Sequence, residues 1–275
     1  MSNQTTLIIG SSGFLGRQIT NILALQGNVI KAHYQNSLYP DSIRYDFFND
    51  DLENLLNKQK VDVVIFAGMV ETNPLETVQV SMERFAKACK ERRVVYLSSD
   101  GIFNGQKGLY SEKDAPNSQT LYGKNLAACE NIIANQCKSF CIIRPSYIYG
   151  FSNETLDSRL AKTREMLEAG KEVVLFDDMF KSPLAVKQVA KAVVDLSTLN
   201  YTGIVHVAGQ RMSVYEFHRQ AMSALKVSIA NLKSCKMPVD KGFLRDTSLD
   251  NSMWQKITHS KPESIQEALT AKDAT

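Results

Sequence analysis

Three glycines near the start of the chain have the spacing of a phosphate-binding turn. The segment GSSGFLG places Gly10, Gly13 and Gly16 directly after the apolar run TLIIG and directly before a helical pattern. Glycine permits a tight turn and a close approach of the backbone to a pyrophosphate, and the following helix offers unpaired N–H groups and a positive dipole end. The segment therefore predicts a dinucleotide site, with a glycine-rich turn that holds no ligand as the alternative.

A tyrosine at the start of a later helical segment could donate a proton. In LYGKNLAACE, residues 121–130, Tyr122 is followed by Lys124, Asn125 and Leu126. Oxidoreductases that use such a tyrosine as an acid have a lysine four residues later, where this chain has Leu126. Lys124 lies about 200° around the helix, on the opposite face, whereas Asn125 lies nearer the tyrosine and could bond a ribose hydroxyl without supplying charge.

The missing lysine predicts a weaker acid. A free tyrosine has a pKa near ~10, and a close cation lowers such a pKa by ~1–3 units. Without the cation Tyr122 stays protonated at neutral pH, and Leu126 presents an apolar wall beside it. Because positioned proton transfer contributes roughly 10²–10⁴-fold, we expect reduced activity and not its abolition.

Alternating strand and helix patterns must position these residues. Nearly continuous apolar runs predict strands, and the segments between them have helical periodicity, as in a parallel sheet covered on both faces. The predicted strands are residues 6–10, 28–34, 61–68, 93–99 and 140–145, and the predicted helices are 14–26, 75–91 and 121–136. The fold class is α/β, a Rossmann doubly wound parallel sheet.

The pattern becomes less regular after about residue 150. It predicts helices at 156–170, 185–199 and 213–225 and strands at 171–176 and 203–209. We therefore predict a dinucleotide-binding domain at 1–145 and a smaller C-terminal substrate-binding lobe at 146–275, with segments that return to the first sheet.

Composition excludes several classes of protein. Hydrophobic residues make up 44% and charged residues 22%, and the net charge of +3 argues against nucleic acid as a partner. The five cysteines and four histidines are scattered, so we expect neither a metal site nor a disulfide. The chain has no signal-peptide pattern and no long apolar run, which predicts a cytoplasmic protein without a membrane span.

Several stretches together resemble one family. The chain resembles the extended short-chain dehydrogenase/reductases, and within them the dTDP-4-dehydrorhamnose reductase group. The stretches that carry the resemblance are GSSGFLG, VVYLSSDGIFNGQKGLYSEKDAP, LYGKNLAACE, CIIRPSYIYG, DDMFKSP and RDTSLDNS. The resemblance implies a lobe that binds NAD or NADP, a lobe that binds a nucleotide sugar, and hydride transfer to the sugar's C4 ketone.

The resemblance also implies roles for individual residues. Ser99 would hydrogen-bond the ketone oxygen, and Tyr122 would protonate it. A loop-cap serine and a packing tyrosine are the alternatives. The predicted cofactor contacts are Gly10, Ser12, Gly13, Phe14, Leu15, Gly16, Asp46, Ala67, Gly68 and Tyr122, and the predicted substrate contacts are Asp100, Tyr147 and Arg245. Asp46 is equally explained as a turn carboxylate, and Tyr147 as a residue that packs the hinge.

The segment after the second predicted strand bears on the choice of cofactor. NAD sites usually have an acidic residue there for the adenine ribose, but HYQNS has none. A 2′-phosphate would not be repelled, and Lys31, His33 or Arg44 could lie nearby, although surface roles are the alternative. The sequence therefore favours NADP over NAD.

Departures from the family pattern leave two functions open. Leu126 replaces the lysine, Gly101 replaces an aromatic residue, and Asp246 replaces the proline after Arg245. The first function is reduction of a nucleotide-linked 4-ketosugar, slowed by the missing lysine. The second is a non-catalytic protein that binds NAD(P) or a nucleotide sugar and regulates or scaffolds a protein partner. A homodimer is compatible with either function.

Overall fold

The computed structural model describes residues 4–238 and 242–270. The strands are β1 Thr5–Ile9, β2 Asn28–His33, β3 Ile43–Arg44, β4 Val63–Phe66, β5 Arg93–Leu97, β6 Ser139–Pro145, β7 Ile148–Tyr149, β8 Phe151–Ser152, β9 Thr155–Leu156, β10 Val173–Phe176, β11 Phe180–Lys181, β12 Leu184–Ala185, β13 Gly203–Val207, β14 Met212–Ser213 and β15 Leu232–Cys235. The helices are α1 Phe14–Ala24, α2 Leu52–Lys58, α3 Leu75–Ala88, α4 Leu121–Gln136, α5 Ser158–Glu168, α6 Val186–Thr198, α7 Val214–Ala224, α8 Ser252–Thr258 and α9 Ile265–Thr270.

A seven-stranded sheet has the order β3-β2-β1-β4-β5-β6-β13. Parallel ladders join β1 to β2 and β4, β2 to β3, β4 to β5, and β5 to β6. All four residues of β4 are buried, as expected for a strand covered on both faces. The predicted α/β fold with a doubly wound parallel sheet is confirmed.

The predicted elements of the sheet are present with small shifts at their ends. The predicted strand at 61–68 ends at Phe66, which leaves Ala67 and Gly68 in the loop that follows. Helix α4 has the predicted bounds, and the Thr120 hydroxyl caps it by accepting a hydrogen bond from Gly123 N at 3.0 Å. The sequence patterns missed β3 and α2, which have only two and seven residues.

The chain divides into two compact units. The first unit consists of Met1–Phe103, Ala115–Arg144 and Ala190–Val205. The second unit consists of Asn104–Asp114, Pro145–Val189 and His206–Thr275. The first unit holds most of the seven-stranded sheet together with α1, α3 and α4.

The second unit is built from short strands and helices around its own core. Strand β10 pairs with β15 and β12 with β7 in parallel, and β11 pairs with β14 in antiparallel orientation. Phe217 of α7 is 1% exposed, and its ring centroid lies 4.8 Å from that of Tyr147 and 5.0 Å from that of Tyr149. These aromatic contacts account for the buried tyrosines of SYIYG.

Candidate active site

The turn between β1 and α1 has a backbone that only glycine accommodates at two positions. Gly10 has a φ of +87°, and a Cβ there would lie 2.7 Å from the backbone of Ala67. A Cβ on Gly16 would lie 2.0 Å from the carbonyl oxygen of Gly10. The turn therefore brings the predicted residues Gly10, Ala67 and Gly68 together at the ends of β1 and β4.

Gly13 differs from Gly10 and Gly16 because a side chain there would require a shift of only a few tenths of an ångström. Its φ of −70° suits any residue, and a Cβ would meet only Gly10 O, at 3.3 Å. Gly13 caps α1 without a side-chain hydrogen bond, and the first turn holds no acidic residue. Arg17 in that turn has a buried Nε without a hydrogen-bond partner. An exposed glycine at the positive end of a helix, beside an arginine, fits a pyrophosphate.

Three candidate cations lie in β2 and β3, and they differ in how strongly other side chains already bind them. Lys31 is bound by Asp41, with Nζ 2.7 Å from the carboxylate. His33 shares a hydrogen bond of 2.9 Å with the Ser42 hydroxyl. Arg44 is 61% exposed, and its ion pairs with two nearby carboxylates are long, at 4.0 Å. Arg44 is thus the most available of the three for an added anion.

The Asp46 side chain is engaged in its own turn. Its oxygens accept hydrogen bonds from Phe48 N at 2.9 Å and from Asn49 Nδ2 at 2.9 Å. The Asn49 bond is the largest influence that lowers the pKa of Asp46, and the residue is only 6% exposed. These contacts match the turn-carboxylate interpretation, the alternative to the predicted adenine contact.

Ser99 and Tyr122 lie together in the first unit. Both side chains border Gly101: a Cβ there would lie 3.6 Å from Ser99 Oγ and close to the Tyr122 ring. The Ser99 hydroxyl also accepts a bond from Gly101 N at 3.1 Å and donates to Asp100 Oδ1 at 3.1 Å. A Cβ on Gly101 would lie 2.8 Å from Cε1 of the Tyr122 ring. Glycine at this departure from the family pattern therefore lets the tyrosine ring pack against the backbone.

The surroundings of Tyr122 make it a weak acid. Burial raises the pKa of Tyr122 to about 12; the Ser99 hydrogen bond acts the other way, and Glu71 and Asp100 raise it further. Leu126 is 1% exposed, so the lysine position is part of the core. Lys124 is exposed, in agreement with its predicted place on the opposite face. The candidate proton donor thus stays protonated over the ordinary pH range.

Asn125 uses only the nitrogen of its amide within the fold, because its Oδ1 is buried without a hydrogen-bond partner. It is fully buried, and its Nδ2 donates to Glu71 O at 2.7 Å and to Asn73 O at 2.8 Å. The amide therefore holds the loop after β4 against α4. Sequence patterns missed Glu71 because nothing in GMVETNP marks a buried carboxyl.

A second buried network lies behind Ser99. Ser98 donates to Glu130 at 2.5 Å, and Arg144 donates to both oxygens of Glu130 at 2.8 and 2.5 Å. The side chains of Arg144 and Glu130 are 1% and 5% exposed. This network joins Ser98, the residue after β5, to α4 and β6. The signal that could have revealed it is Arg144, a charge inside the otherwise apolar run FCIIRP.

Two of the predicted substrate residues belong to the second unit. Tyr147 is 9% exposed, its hydroxyl lies 3.2 Å from His218 Nε2, and the Arg159 guanidinium lies 3.5 Å above its ring. Arg245 is 53% exposed and forms an ion pair of 3.3 Å with Asp178. Of the two, the arginine is the one available to a ligand.

Asp246 anchors several segments of the second unit. Its carboxylate binds Arg211 at 2.8 Å and accepts a hydrogen bond from the Ser248 hydroxyl at 2.5 Å. A Cβ on Gly108 would lie 2.3 Å from Asp246 Oδ2. The aspartate that replaces the family's proline therefore has a structural role of its own.

None of the helices in residues 4–238 and 242–270 is long and apolar enough to cross a membrane. Across the same two ranges, no group of three or more His, Cys, Asp or Glu side chains is arranged to hold a metal ion.

The fold is that of an extended short-chain dehydrogenase/reductase. Residues 4–273 match the family described as the RmlD substrate binding domain. The chain belongs to that family.

Curated relatives include both reductases and a subunit of methionine adenosyltransferase. The chain is 27% identical over 224 residues to a probable low-salt glycan biosynthesis reductase, Agl14, of Haloferax volcanii, with 74% of each chain covered. It is 27% identical over 234 residues to dTDP-4-dehydrorhamnose reductase of Salmonella typhimurium, with 77% of this chain and 75% of that protein covered. It is 22% identical over 250 residues to methionine adenosyltransferase 2 subunit beta of Xenopus tropicalis, with 82% and 74% covered.

Solved structures have the same fold. A hypothetical dTDP-4-dehydrorhamnose reductase from Sulfolobus tokodaii superimposes with a TM-score of 0.82 at 26% identity, covering 98% of this chain and 100% of that one. The dTDP-4-dehydrorhamnose reductase of Bacillus anthracis, solved in complex with NADP, gives a TM-score of 0.82 at 17% identity, covering 97% of each chain.

Proposed function

We propose that the protein is an NAD(P)H-dependent oxidoreductase that reduces the 4-keto group of a nucleotide-linked sugar. The observation that carries the proposal is the proximity of Ser99 Oγ and the Tyr122 ring, which both lie beside Gly101. The pair lies in the unit that also holds the glycine turn of GSSGFLG. Family membership and the reductases among the relatives support it.

The candidate site residues of the first unit have separate tasks in this reaction. The turn at Gly13 and the start of α1 bind the pyrophosphate of the cofactor, with Ser12, Phe14 and Leu15 beside it. The bound reduced nicotinamide supplies the hydride. Ser99 holds the ketone oxygen by a hydrogen bond, and Tyr122 donates a proton to that oxygen from its phenol.

The substitution at Leu126 slows this reaction without preventing it. A phenol whose pKa is about 12 is a weaker acid than one beside an ammonium, but it is fully protonated at neutral pH. Because the phenol is a weaker acid, general-acid catalysis accelerates the reduction less than it would beside a lysine. The ribose also loses a charged contact, so its position depends on the loop and on neighbouring hydrogen bonds.

We propose NADPH as the preferred donor. The loop after β2 offers no carboxylate to a ribose hydroxyl, and Arg44 is exposed with only long ion pairs. A guanidinium in this state can bind a 2′-phosphate.

We propose that Tyr147 and Arg245 of the second unit contact the nucleotide sugar. Arg245 supports this best, because its exposed guanidinium suits the diphosphate of such a substrate. Reduced nicotinamide and nucleotide sugars are cytoplasmic metabolites, so we expect the protein to work in the cytoplasm.

A non-catalytic function is the second candidate, and Leu126 favours it. A buried leucine in place of the lysine is compatible with a protein that binds NAD(P) or a nucleotide sugar and regulates a protein partner. The relative named as a subunit of methionine adenosyltransferase supports this candidate at low identity.

Steady-state turnover of purified protein separates the two candidates. NADPH and NADH are each supplied with a panel of dTDP- and UDP-linked 4-ketosugars, and oxidation is followed at the nicotinamide absorbance. The reductase proposal expects consumption of cofactor that depends on the ketosugar and stops when the corresponding 4-hydroxy sugar is supplied instead. Tight cofactor binding without turnover on any ketosugar would support the binding protein.

A further inference from the structure

Glu71 is a carboxyl buried in the loop after β4. It is 2% exposed, Tyr96 donates its hydroxyl to Oε1 at 2.6 Å, and Val70 N–H donates to Oε2 at 2.9 Å. Both partners donate, so the two bonds favour the ionised carboxylate. Burial raises the pKa of Glu71, and these hydrogen bonds oppose that effect.

Asn125 holds this loop against the helix of Tyr122. It follows Tyr122 by three residues on α4, and its amide bonds the Glu71 carbonyl oxygen at 2.7 Å. Tyr96, the partner of the carboxylate, is itself fully buried and contacts Cys129, two turns after Tyr122 on α4. Glu71 therefore lies beside the face of α4 that carries Tyr122.

The groups facing Tyr122 come from three elements. Helix α4 contributes Leu126 at the lysine position, which is apolar. The segment after β5 contributes the Ser99 hydroxyl and the Asp100 carboxyl, and the loop after β4 contributes Glu71. In the described part of the chain, the charged groups that act on Tyr122 are thus both carboxyls. The neighbouring Cys129 is an uncharged thiol, because burial raises its pKa to about 12.

We propose that Glu71 is a positioning residue that acts through Tyr122 and sets the pH range of proton donation. The inference rests on the proposed function. A lysine at position 126 would lower the pKa of Tyr122, whereas the Glu71 carboxylate, held against α4 through Asn125, has the opposite effect. It keeps the phenol protonated to alkaline pH and makes it a weaker acid.

The chemical step remains that of a ketone reduction. The carbonyl carbon accepts the hydride, the carbonyl electrons move to the oxygen, and an O–H bond forms as the Tyr122 phenol gives up its proton. The phenolate then regains a proton from water. Since Glu71 disfavours the phenolate, it extends the pH range in which the phenol is available and lowers the rate within that range.

Phenolate titration of the protein alone tests the inference without substrate or cofactor. Ultraviolet absorbance is followed against pH for the wild type, Glu71→Gln and Tyr96→Phe, each compared with the same protein carrying Tyr122→Phe, so that the difference reports Tyr122. Glu71→Gln keeps the shape of the side chain and removes its charge. Tyr96→Phe removes the donor to that carboxyl but leaves the charge.

The expected result is a lower midpoint for Tyr122 in Glu71→Gln only. We expect a fall of roughly 0.5–1 pH unit, because burial remains the larger cause of the high pKa. A midpoint that is unchanged in Glu71→Gln, or lowered equally in Tyr96→Phe, overturns the inference. If Glu71→Gln does not fold, Glu71→Met removes the same charge and is judged by the same criterion.

Turnover with a ketosugar gives a second readout. Reduction by Glu71→Gln should be equal to or up to roughly 3-fold faster than wild type at neutral pH, and should decline at lower alkaline pH than the wild type does. A merely structural residue would lose activity at every pH, which contradicts the inference. Absence of turnover in all proteins would defeat the proposed function, while the titration would still decide the role of Glu71.

Discussion

Two regions of the first unit differ in how much of the family pattern they keep. They are the turn between β1 and α1 and the first turns of α4. The turn has all three glycines, an open face at Gly13 and Arg17 in the first helical turn. The start of α4 has Tyr122 but a buried leucine at the position of the lysine, with Glu71 close by.

The difference shows that cofactor binding and proton transfer depend on different features of the chain. Pyrophosphate binding depends on backbone shape and a helix terminus, which glycines specify and which hardly depend on neighbouring side-chain charge. Proton transfer depends on a side-chain pKa, which a single charge moves by ~1–3 units. A chain can therefore alter its acid while its cofactor site stays intact.

Replacing Tyr122 should have the largest effect. Tyr122→Phe removes the proton donor and should lower turnover by roughly 10²–10⁴-fold while cofactor affinity stays within a factor of about two. The measurement is steady-state reduction together with cofactor titration. Tyr201→Phe is the matched control, because its hydroxyl donates to Ile204 O elsewhere in the unit. Equal rates in wild type and Tyr122→Phe would remove the tyrosine from the chemistry.

A side chain at Gly13 should impair cofactor binding at the turn between β1 and α1. Gly13→Val should weaken cofactor binding by about 100-fold or more, since its methyl groups would occupy the space of the pyrophosphate, while the protein stays folded. Calorimetric titration and thermal melting check both parts.

Two further glycine variants are controls for the effect of Gly13→Val on cofactor affinity. Gly27→Val, where a Cβ would meet only Gln4 O at 3.7 Å, should leave affinity unchanged. Gly16→Val should destabilise the fold, because its Cβ would lie 2.0 Å from Gly10 O. Unchanged affinity in a folded Gly13→Val would show that no dinucleotide lies against this turn.

A lysine at position 126 should give the start of α4 the cation of the family pattern. Leu126→Lys places an ammonium one turn from Tyr122, which lowers the pKa of Tyr122 and should raise turnover about ten-fold. Because Leu126 is 1% exposed, the free energy of unfolding should fall by ~1–3 kcal/mol. Kinetics and denaturant unfolding test the pair of effects, and Leu126→Met controls for altered packing.

The gain in turnover of Leu126→Lys must depend on Tyr122. Adding Tyr122→Phe to Leu126→Lys should abolish it. A stable Leu126→Lys protein that binds cofactor and shows no gain would indicate that the site has diverged beyond this one residue.

The smallest expected effect concerns cofactor choice. Arg44→Ala should weaken NADPH binding by roughly 3- to 10-fold and leave NADH unchanged, since an exposed guanidinium contributes modestly. Lys31→Ala is the control, because that ammonium is already bound by Asp41 at 2.7 Å. Equal losses for both cofactors would argue against a contact with the 2′-phosphate.

Sequence patterns predicted the features that depend on local periodicity. The bounds of α4, the exposure of Lys124 and the glycine turn follow from helical spacing and from glycine stereochemistry. The resemblance predicts that Ser99 and Tyr122 act together; the structure places both side chains beside Gly101, and their joint role stays a prediction.

Features that depend on contacts between distant segments were not predictable. Glu71 is buried because Tyr96, 25 residues away, and Asn125, 54 residues away, bond it. The amide of Asn125 is likewise committed to two carbonyl oxygens, which helical spacing does not reveal. Such pairings arise only when β4, β5 and α4 pack together.

The most direct test of the account is the transfer of deuterium to the sugar. Wild-type protein is given NADPH carrying deuterium at the transferable position and a nucleotide-linked 4-ketosugar, and the product is analysed by mass spectrometry and NMR. The account predicts one deuterium at C4 of the sugar, formed slowly by the wild type and faster by Leu126→Lys. Saturating binding of the cofactor and the ketosugar with no deuterium in the sugar, in either protein, would contradict it.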